Sequence, residues 1–468
     1  MATTKGSTMG KINIIQGHTN FHFIGIGGIH MSGLAEILHL DGCYVTGSDK
    51  NDSENVARLR KVGIDVKIGH DAQNIPKNAQ VVVYNAAISE NNPEIALARA
   101  KNLHIMGRAE LLGRLMQNYD QAICVAGTHG KTTTTSMLAT IFMVADTDPT
   151  VLNGGILPAM GGAMRIGGRR VFIAEACEYH DSFLNFFPHI GIILNMEMDH
   201  SDFFPDIHAL GRSFHKFARR IPGDGLLIID GQIDGLPQII DGLDCNIQIL
   251  GKNGHIWAEN VHFDASGCGI FDVFDKSGVL GRINMAVPGN HNIQNALAAT
   301  TCALRFGIDF AVISRALGSF TGTRRRFQVV GQCNGATVVD DYAHHPTEIT
   351  ATLQAARNIP HGRLWAVFQP HTHTRTRQFL SAFADSLATA DEVIILDIYK
   401  PAGREEAGCH IHARDLANQI SLQMPNCRYL SSFDKAIDYL KNHVQPNDMI
   451  IAMGAGDIDT LAHKLGLC

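Results

Sequence analysis

Residues 121–144 constrain the fold more than any other stretch. The apolar run Gln121-Ala122-Ile123-Cys124-Val125 leads straight into Gly127-Thr128-His129-Gly130-Lys131-Thr132, and Thr132 to Val144 continues as a helical pattern. A strand that turns through glycines into a helix gathers successive backbone N–H groups and the positive helix end around one point, which makes a phosphate site. Lys131 adds a point charge there, Thr132 offers a hydroxyl to Mg²⁺, and Thr133 extends the polar first turn. The spacing, Gly-x-x-Gly-Lys-Thr, is shorter than the general Gly-x4-Gly-Lys-Ser/Thr pattern. The strand–loop–helix context therefore carries the reading. An ordinary glycine turn would leave Lys131 and the threonine run from Thr132 to Thr135 without a purpose.

Similar alternation flanks this unit. Phe21 to Ile26 reads as a strand that enters Gly27-Gly28 and a helix through Met31, Leu34, Ile37 and Leu38, followed by strand-like runs at Cys43–Gly47, Val66–Ile68 and Val81–Tyr84. After the phosphate loop come strand-like runs at Arg170–Ala174, Gly191–Asn195 and Gly225–Ile229. A Gly/Asp-rich stretch, 231–287, is expected to form a small β-rich insertion. A third alternation places strands at Ala336–Asp340, Leu364–Gln369, Val393–Tyr399 and Met449–Met453. With 468 residues and a prior of roughly one domain per ~150, the chain is expected to be α/β in three domains. These are an N-terminal Rossmann-like domain (1–118), a central P-loop ATPase-type domain (119–322) and a C-terminal Rossmann-like domain (323–468).

Composition excludes several classes. The net charge is −6, so no global positive field attracts nucleic acid or an anionic membrane, and anionic ligands must be held locally. The 10 cysteines, Cys43, Cys124, Cys177, Cys302 and Cys468 among them, form no Cys-x-x-Cys pair; buried, reduced thiols are expected. The polar start, Met1 to Lys11, lacks the apolar stretch of a secretory signal, and no run of ~18 apolar residues occurs. A cytoplasmic location is expected.

Further constellations carry chemistry. Ala174-Glu175-Ala176-Cys177-Glu178 ends an apolar strand, where a carboxylate is well placed to hold Mg²⁺; Glu175 is the favoured ligand. Met196-Glu197-Met198-Asp199-His200 follows another strand and offers His200 to a second metal ion. Asn292 and Asn295 lie one turn apart before the helical run Ala296–Leu304, on one face, with amides suited to an adenine edge; an Asn-rich helix cap is the competing reading. Arg324-Arg325-Arg326 stands where the second lobe hands over to the third, so an arginine there reaches a γ-phosphate only when the lobes close, unless it is a solvated basic linker. Asp340-Asp341-Tyr342-Ala343-His344-His345 gathers carboxylate, phenol and imidazole at a strand end. Phe368-Gln369-Pro370-His371-Thr372-His373-Thr374-Arg375-Thr376-Arg377 supplies cations for a carboxylate or phosphate, and its paired histidines lack a third nearby ligand for zinc. Gly25-x-Gly27-Gly28 with Asp49 is an imperfect dinucleotide fingerprint, His30 standing where the last glycine is expected.

Taken in order, the Gly-Thr-His-Gly-Lys-Thr loop, the acidic strand end, the His291-Asn292-x-x-Asn295 helix and the linker arginine resemble the Mur ligases over nearly the whole chain. The segments Ile24–Gly33, Asp340–Pro346 and Phe368–His371 are similar to the family members that add L-alanine, the first amino acid of the peptidoglycan stem, to UDP-N-acetylmuramate. The resemblance implies an N-terminal domain that binds the UDP-sugar through Gly27, Gly28, Ser32 and Asp49, with His70 a further candidate. It implies ATP held by Gly127, Thr128, His129, Gly130, Lys131, Thr132 and Thr133, with adenine at Asn292 and Asn295 and with Arg326 and Asp341 reaching across from the third lobe. Metal is implied at Thr132, Glu175 and His200. Tyr342, His344 and Arg375 would face the reacting carboxylate and L-alanine, and Lys131, His344 and Arg375 are the expected catalytic residues. Two departures bear on this: Thr372 stands where many relatives carry arginine, and Glu175-Ala176-Cys177-Glu178 differs from the commoner Glu-Ala-Asp-Glu. A ligase attaching a preformed tripeptide to the same sugar is the nearest alternative. A nicotinamide-dependent dehydrogenase and a non-catalytic nucleotide sensor are more distant ones.

Overall fold

The computed structural model describes residues 17–85, 87–401 and 411–467; Met1 to Lys11 and Cys468 lie outside them. Three sheets follow one another along the chain. The first is formed by β1 (Asn20–Ile24), β2 (Tyr44–Asp49), β3 (Asp65–Ile68), β4 (Val81–Tyr84) and β5 (His104–Gly107), all parallel, in the order β3-β2-β1-β4-β5. Four of these match the expected runs to within a few residues. The fifth, His-Ile-Met-Gly, is too short and mixed to show a period.

The central sheet is larger than the alternation implied. It comprises β6 (Gln121–Ala126), β7 (Thr150–Leu157), β8 (Gly162–Arg165), β9 (Val171–Glu175), β10 (Ile190–Ile193), β11 (Leu226–Asp230), β12 (Asn246–Leu250), β13 (Ile256–Phe263), β14 (Cys268–Asp275) and β15 (Gly278–Pro288). Their order is β15-β14-β13-β12-β11-β10-β6-β9-β7-β8. The expected β-rich insertion is present as the antiparallel meander β13-β14-β15, but it extends the main sheet through the parallel β12–β13 pair. Strand β6 is apolar throughout because it is covered on both faces. Ala122, Cys124 and Ala126 point into one core, while Ile123 and Val125 point into the other.

The first of those cores runs without interruption from Phe21, Phe23 and Leu34 of the first domain to Phe172, Phe183 and Phe214 of the second. At this seam the backbones approach so closely that a Cβ on Gly113 would lie 1.9 Å from the Asn185 carbonyl oxygen. The first two domains are therefore joined by a shared apolar core.

The third sheet, β16 (Gln328–Cys333), β17 (Ala336–Asp341), β18 (Leu364–Phe368), β19 (Glu392–Ile395), β20 (Cys427–Tyr429) and β21 (Met449–Met453), has the order β16-β17-β21-β18-β19-β20. Only β16 is antiparallel to its neighbour. Its cores are made of its own residues, and polar side-chain contacts to the central domain include His129–Glu348, Thr347–Glu197 and Arg375–Asp199. Among the described residues no helix is long and apolar enough to cross a membrane. Cys43, Cys124, Cys245, Cys268 and Cys302 are buried.

Candidate functional site

The order β10-β6-β9 brings the loops after three adjacent strands to one edge: 127–132, 175–178 and 194–200. The phosphate loop is shaped by two glycines in the left-handed region, Gly127 (φ +132°) and Gly130 (φ +82°). A Cβ at Gly130 would sit 2.5 Å from Asn295 Oδ1, so no other residue fits. The 194–200 loop braces the turn: the His129 N–H donates to Asn195 Oδ1 at 2.8 Å, Asn195 Nδ2 donates to the His129 carbonyl, and the Glu197 N–H donates to Thr128 Oγ1 at 2.9 Å. Helix Lys131–Val144 then begins at Lys131, its first turn pointing into the cleft. Lys131 Nζ folds back onto the Gly127 and Thr128 carbonyls and pairs with Glu178 at 3.1 Å. Burial works against its charge, but Glu178 and Glu175 hold it protonated. Its ammonium thus lies on the loop carbonyls, beside Glu178.

Thr132 and Glu175 come together as expected: the Glu175 carboxylate accepts hydrogen bonds from the Thr132 hydroxyl and the Gly154 N–H, and burial raises its pKa. His200 lies instead beside Glu178, Nε2 to Oε1 3.7 Å. Glu178, the carboxylate passed over in the sequence, is almost fully buried (2 % exposed) and links Lys131 to His200. Cys177 belongs to the same cluster, but burial pushes its thiol up to about 11. Without a metal it therefore remains a thiol. Hydroxyl, two carboxylates and one imidazole form a donor set that suits a hard divalent cation such as Mg²⁺.

Beside the loop, a cleft is lined by Gly130, Thr133, His291, Asn292, Asn295, Arg326, Asp341 and Glu348, a mostly apolar wall with a few convergent polar groups of the kind that holds a small ligand. Here the structure departs from the reading of the asparagines as a cap. Helix His291–Arg305 starts before them, and its N-cap Asn290 makes no side-chain capping bond. Asn292 donates to the Pro288 carbonyl at 2.7 Å and Asn295 donates to Asn292 Oδ1 at 3.1 Å, which fixes both amides on the cleft wall.

The third domain closes the cleft from above. Asp341, at the end of β17, accepts the Phe327 and Ala343 N–H groups at 2.7 Å and fixes the linker turn that carries Arg326. Tyr342 is flanked by the guanidinium groups of Arg325 and Arg326, 4.9 and 5.2 Å from its ring centroid. His344 Nδ1 lies 3.2 Å from Glu348. Glu348, absent from the expected set, is a hub: it meets His344, Arg326 (4.0 Å) and, across the domain boundary, His129 Nδ1 (3.1 Å). Burial opposes its charge, yet His344 and His129 hold its carboxyl well below the usual range. Burial would lower the His129 pKa, but hydrogen bonds to Glu197 and Glu348 raise it to about 9.

Arg375 reaches into the cleft and pairs with Asp199 at 2.6 Å, whereas Arg377 points to solvent. Thr372 holds a strained φ of +65°, and its Oγ1 accepts the Arg375 N–H. His371 stacks on Tyr399, ring centroids 5.6 Å apart. Neither His371 nor His373 belongs to a metal-type cluster among the described residues.

In the first domain, Gly27 and Gly28 form the turn into helix Ile29–Leu40, and the Gly27 N–H donates to Asp49 Oδ2 at 2.8 Å. Ser32 is fully buried, with its hydroxyl on the Ile29 carbonyl, so it braces the turn from within in this conformation. His70 shares the buried carboxylate of Glu94 with Ser48 and His22. No sequence signal pointed to Glu94, because a carboxylate in the first turn of a helix reads as an ordinary helix start.

Comparison with known proteins agrees with this layout. Residues 20–120 match the family model described as Mur ligase family, catalytic domain, residues 125–303 the Mur ligase middle domain, and residues 325–456 the Mur ligase, glutamate ligase domain. The chain is 47% identical over 438 residues to the UDP-N-acetylmuramate--L-alanine ligase of Clostridium tetani, covering 93% of this chain and 95% of that protein. It is 45% identical over 448 residues to the protein of the same name from Agathobacter rectalis, with 95% and 97% covered. The crystal structure of the UDP-N-acetylmuramate-alanine ligase MurC of Thermotoga maritima superposes with a TM-score of 0.79 at 27% identity, covering 96% of this chain and 98% of that one. A murein peptide ligase from Psychrobacter arcticus superposes less well, with a TM-score of 0.70 at 26% identity and the same coverage. With all three domains matched in order and close relatives along nearly its full length, the chain belongs to the Mur ligase family.

Proposed function

We propose that the protein is an ATP-dependent ligase that joins L-alanine to the lactyl carboxylate of UDP-N-acetylmuramate in peptidoglycan biosynthesis, acting in the cytoplasm. The observation that carries this reading is the line of charge Lys131–Glu178–His200–Asp199–Arg375, which spans the cleft from the phosphate loop to the third domain. The proposed domains are 1–118 for the UDP-sugar, 119–322 for ATP and 323–468 for the amino acid.

A carboxylate does not acylate an amine in water because its leaving group would be oxide. ATP removes the difficulty: the lactyl carboxylate attacks the γ-phosphate, ADP departs, L-alanine's amine attacks the acyl phosphate, and the tetrahedral adduct expels phosphate. Lys131 exchanges the loop carbonyls for phosphate oxygens, and Arg326 approaches the nucleotide from the linker. Thr132, Glu175 and His200, with Glu178, would hold Mg²⁺, and the ion would supply charge neutralisation of the phosphates. Correct alignment alone contributes up to ~7–11 kcal/mol to such a step. His344, oriented by Glu348, faces the reacting carboxylate. Closure of the third domain excludes water that would hydrolyse the acyl phosphate. Gly27, Gly28 and Asp49 hold the UDP-sugar, and the polar attachment of the third domain, compared with the apolar seam between the first two, makes it the moving part.

A substrate comparison tests the reading against the tripeptide ligase alternative. Purified protein given ATP, Mg²⁺ and UDP-N-acetylmuramate is expected to release phosphate with L-alanine and not with a stem tripeptide. The reverse preference would overturn it.

A further inference from the structure

An α-amino acid enters a site as a zwitterion, and both of its charges must be matched where water is excluded. The small recess beside His200 is lined by Asp199, Ser201 and Asp202 on one side and by Thr372, Arg375 and Gln378 on the other. Its floor comes from the central domain and its roof from the third. Thr372 leaves Arg375 as the guanidinium that faces this recess, since Arg377 points away. Arg375 and Asp199 are both mostly buried, 12 % and 10 % exposed, and neutralise one another at 2.6 Å.

We propose that Asp199 is a specificity-determining residue of the ligation, its carboxylate receiving the α-ammonium group of the incoming amino acid while Arg375 receives the α-carboxylate. The inference rests on the ligase reading above. The geometry behind it is an exchange of partners. The ion pair Arg375–Asp199 opens, the zwitterion enters between the two side chains, and each buried charge gains a new partner, so every charge is matched before binding and again in the bound state. The same exchange sets the size limit. Ser201, next but one to Asp199, hydrogen-bonds Gln378 on the roof, so the space that opens when the ion pair parts is bounded on that side and favours a small side chain. Asp199 is fixed for this task by its own loop, Oδ1 accepting the His200 N–H at 2.7 Å. Asn at this position keeps that acceptor and loses only the charge.

The test uses full-length D199N with the wild type alongside. The expected result is a KM for L-alanine raised tenfold or more, with the KM values for ATP and UDP-N-acetylmuramate within about twofold of wild type. A second measurement reads the ammonium directly. (S)-lactate keeps the carboxylate of L-alanine but carries a hydroxyl in place of the ammonium, and it is assayed as a competitor of L-alanine. In the wild type lactate binds far more weakly than alanine; in D199N that gap closes by tenfold or more. An unchanged gap overturns the inference, and so does a lowered KM for L-alanine, which would make Asp199 a competitor for Arg375. Wild-type protein that does not use L-alanine at all overturns the ligase reading itself, a separate outcome. Calorimetric binding of the UDP-sugar to D199N establishes that the variant is folded.

Discussion

Glu348→Gln tests whether the cleft closes in solution as it does in the structure. His129 stands in the phosphate loop and Glu348 in the third domain, 3.1 Å apart, with Glu197 on the other side of the ring at 3.4 Å. A histidine raised from an ordinary 6.5 to about 9 has gained roughly 3 kcal/mol of preference for its charged form. Two carboxylates share that preference, so removing the interdomain one is expected to lower the His129 pKa by about one pH unit, or ~1.5 kcal/mol. The sign follows from linkage. The folded-state pKa lies above the unfolded one, so the stabilisation is complete below about pH 6.5 and is lost as pH rises through about 9. Wild type and E348Q should therefore differ most in closure at pH 6 and least above pH 9.5. Histidine-selective NMR titration reads the pKa, and small-angle scattering across the same pH range reads closure. A wild-type His129 that titrates near 6.5, or one that E348Q leaves unmoved, would refute the latch.

Other outcomes follow from single residues. Lys131→Ala is expected to cut phosphate release by about 10²–10³-fold and leave calorimetric binding of the UDP-sugar intact. Gly130→Ala should abolish ATP binding, because the new Cβ meets Asn295 Oδ1 in a backbone conformation that already disfavours a side chain; retained nucleotide affinity would contradict the loop geometry. Asp340 is fully buried, and burial, only partly offset by Arg325, raises its pKa to about 7. A carboxyl raised in the folded state destabilises increasingly as pH rises from about 4 through 7. Asp340→Asn should therefore raise the unfolding temperature most at pH 8, less at pH 5, and hardly at all at pH 4.

What the sequence revealed was local. The phosphate loop, its strand and its helix span a couple of dozen consecutive residues, and apolar runs such as Ile190–Ile193 announce parallel strands buried on both faces. The amides of Asn292 and Asn295 were legible as a pair, because helical spacing is itself a distance. What stayed hidden depended on long-range pairing. Asp199 meets Arg375 176 positions later, and His129 meets Glu348 after 219; Arg375 and His129 are legible as site residues, but nothing in the sequence names Asp199 and Glu348 as their partners. Strand β16 was missed because Gly331 interrupts its period where it passes close to the Gly466 backbone. The hairpin of β7 and β8 escaped for a similar reason: its pairing slips between Leu152 and Leu157, where Gly154 and Gly155 crowd against Glu175 and Thr132. Glu178 was ranked below Glu175 because nothing in a linear Glu-Ala-Cys-Glu tells which carboxylate turns toward Lys131.

The central claim is activation of the lactyl carboxylate by phosphoryl transfer, and isotope transfer tests it most directly. UDP-N-acetylmuramate labelled with ¹⁸O in both carboxylate oxygens is turned over with ATP and L-alanine, and the products are weighed by mass spectrometry. The account predicts ADP, one ¹⁸O in each released phosphate and one left in the new amide. Unlabelled phosphate, or AMP in place of ADP, would contradict it.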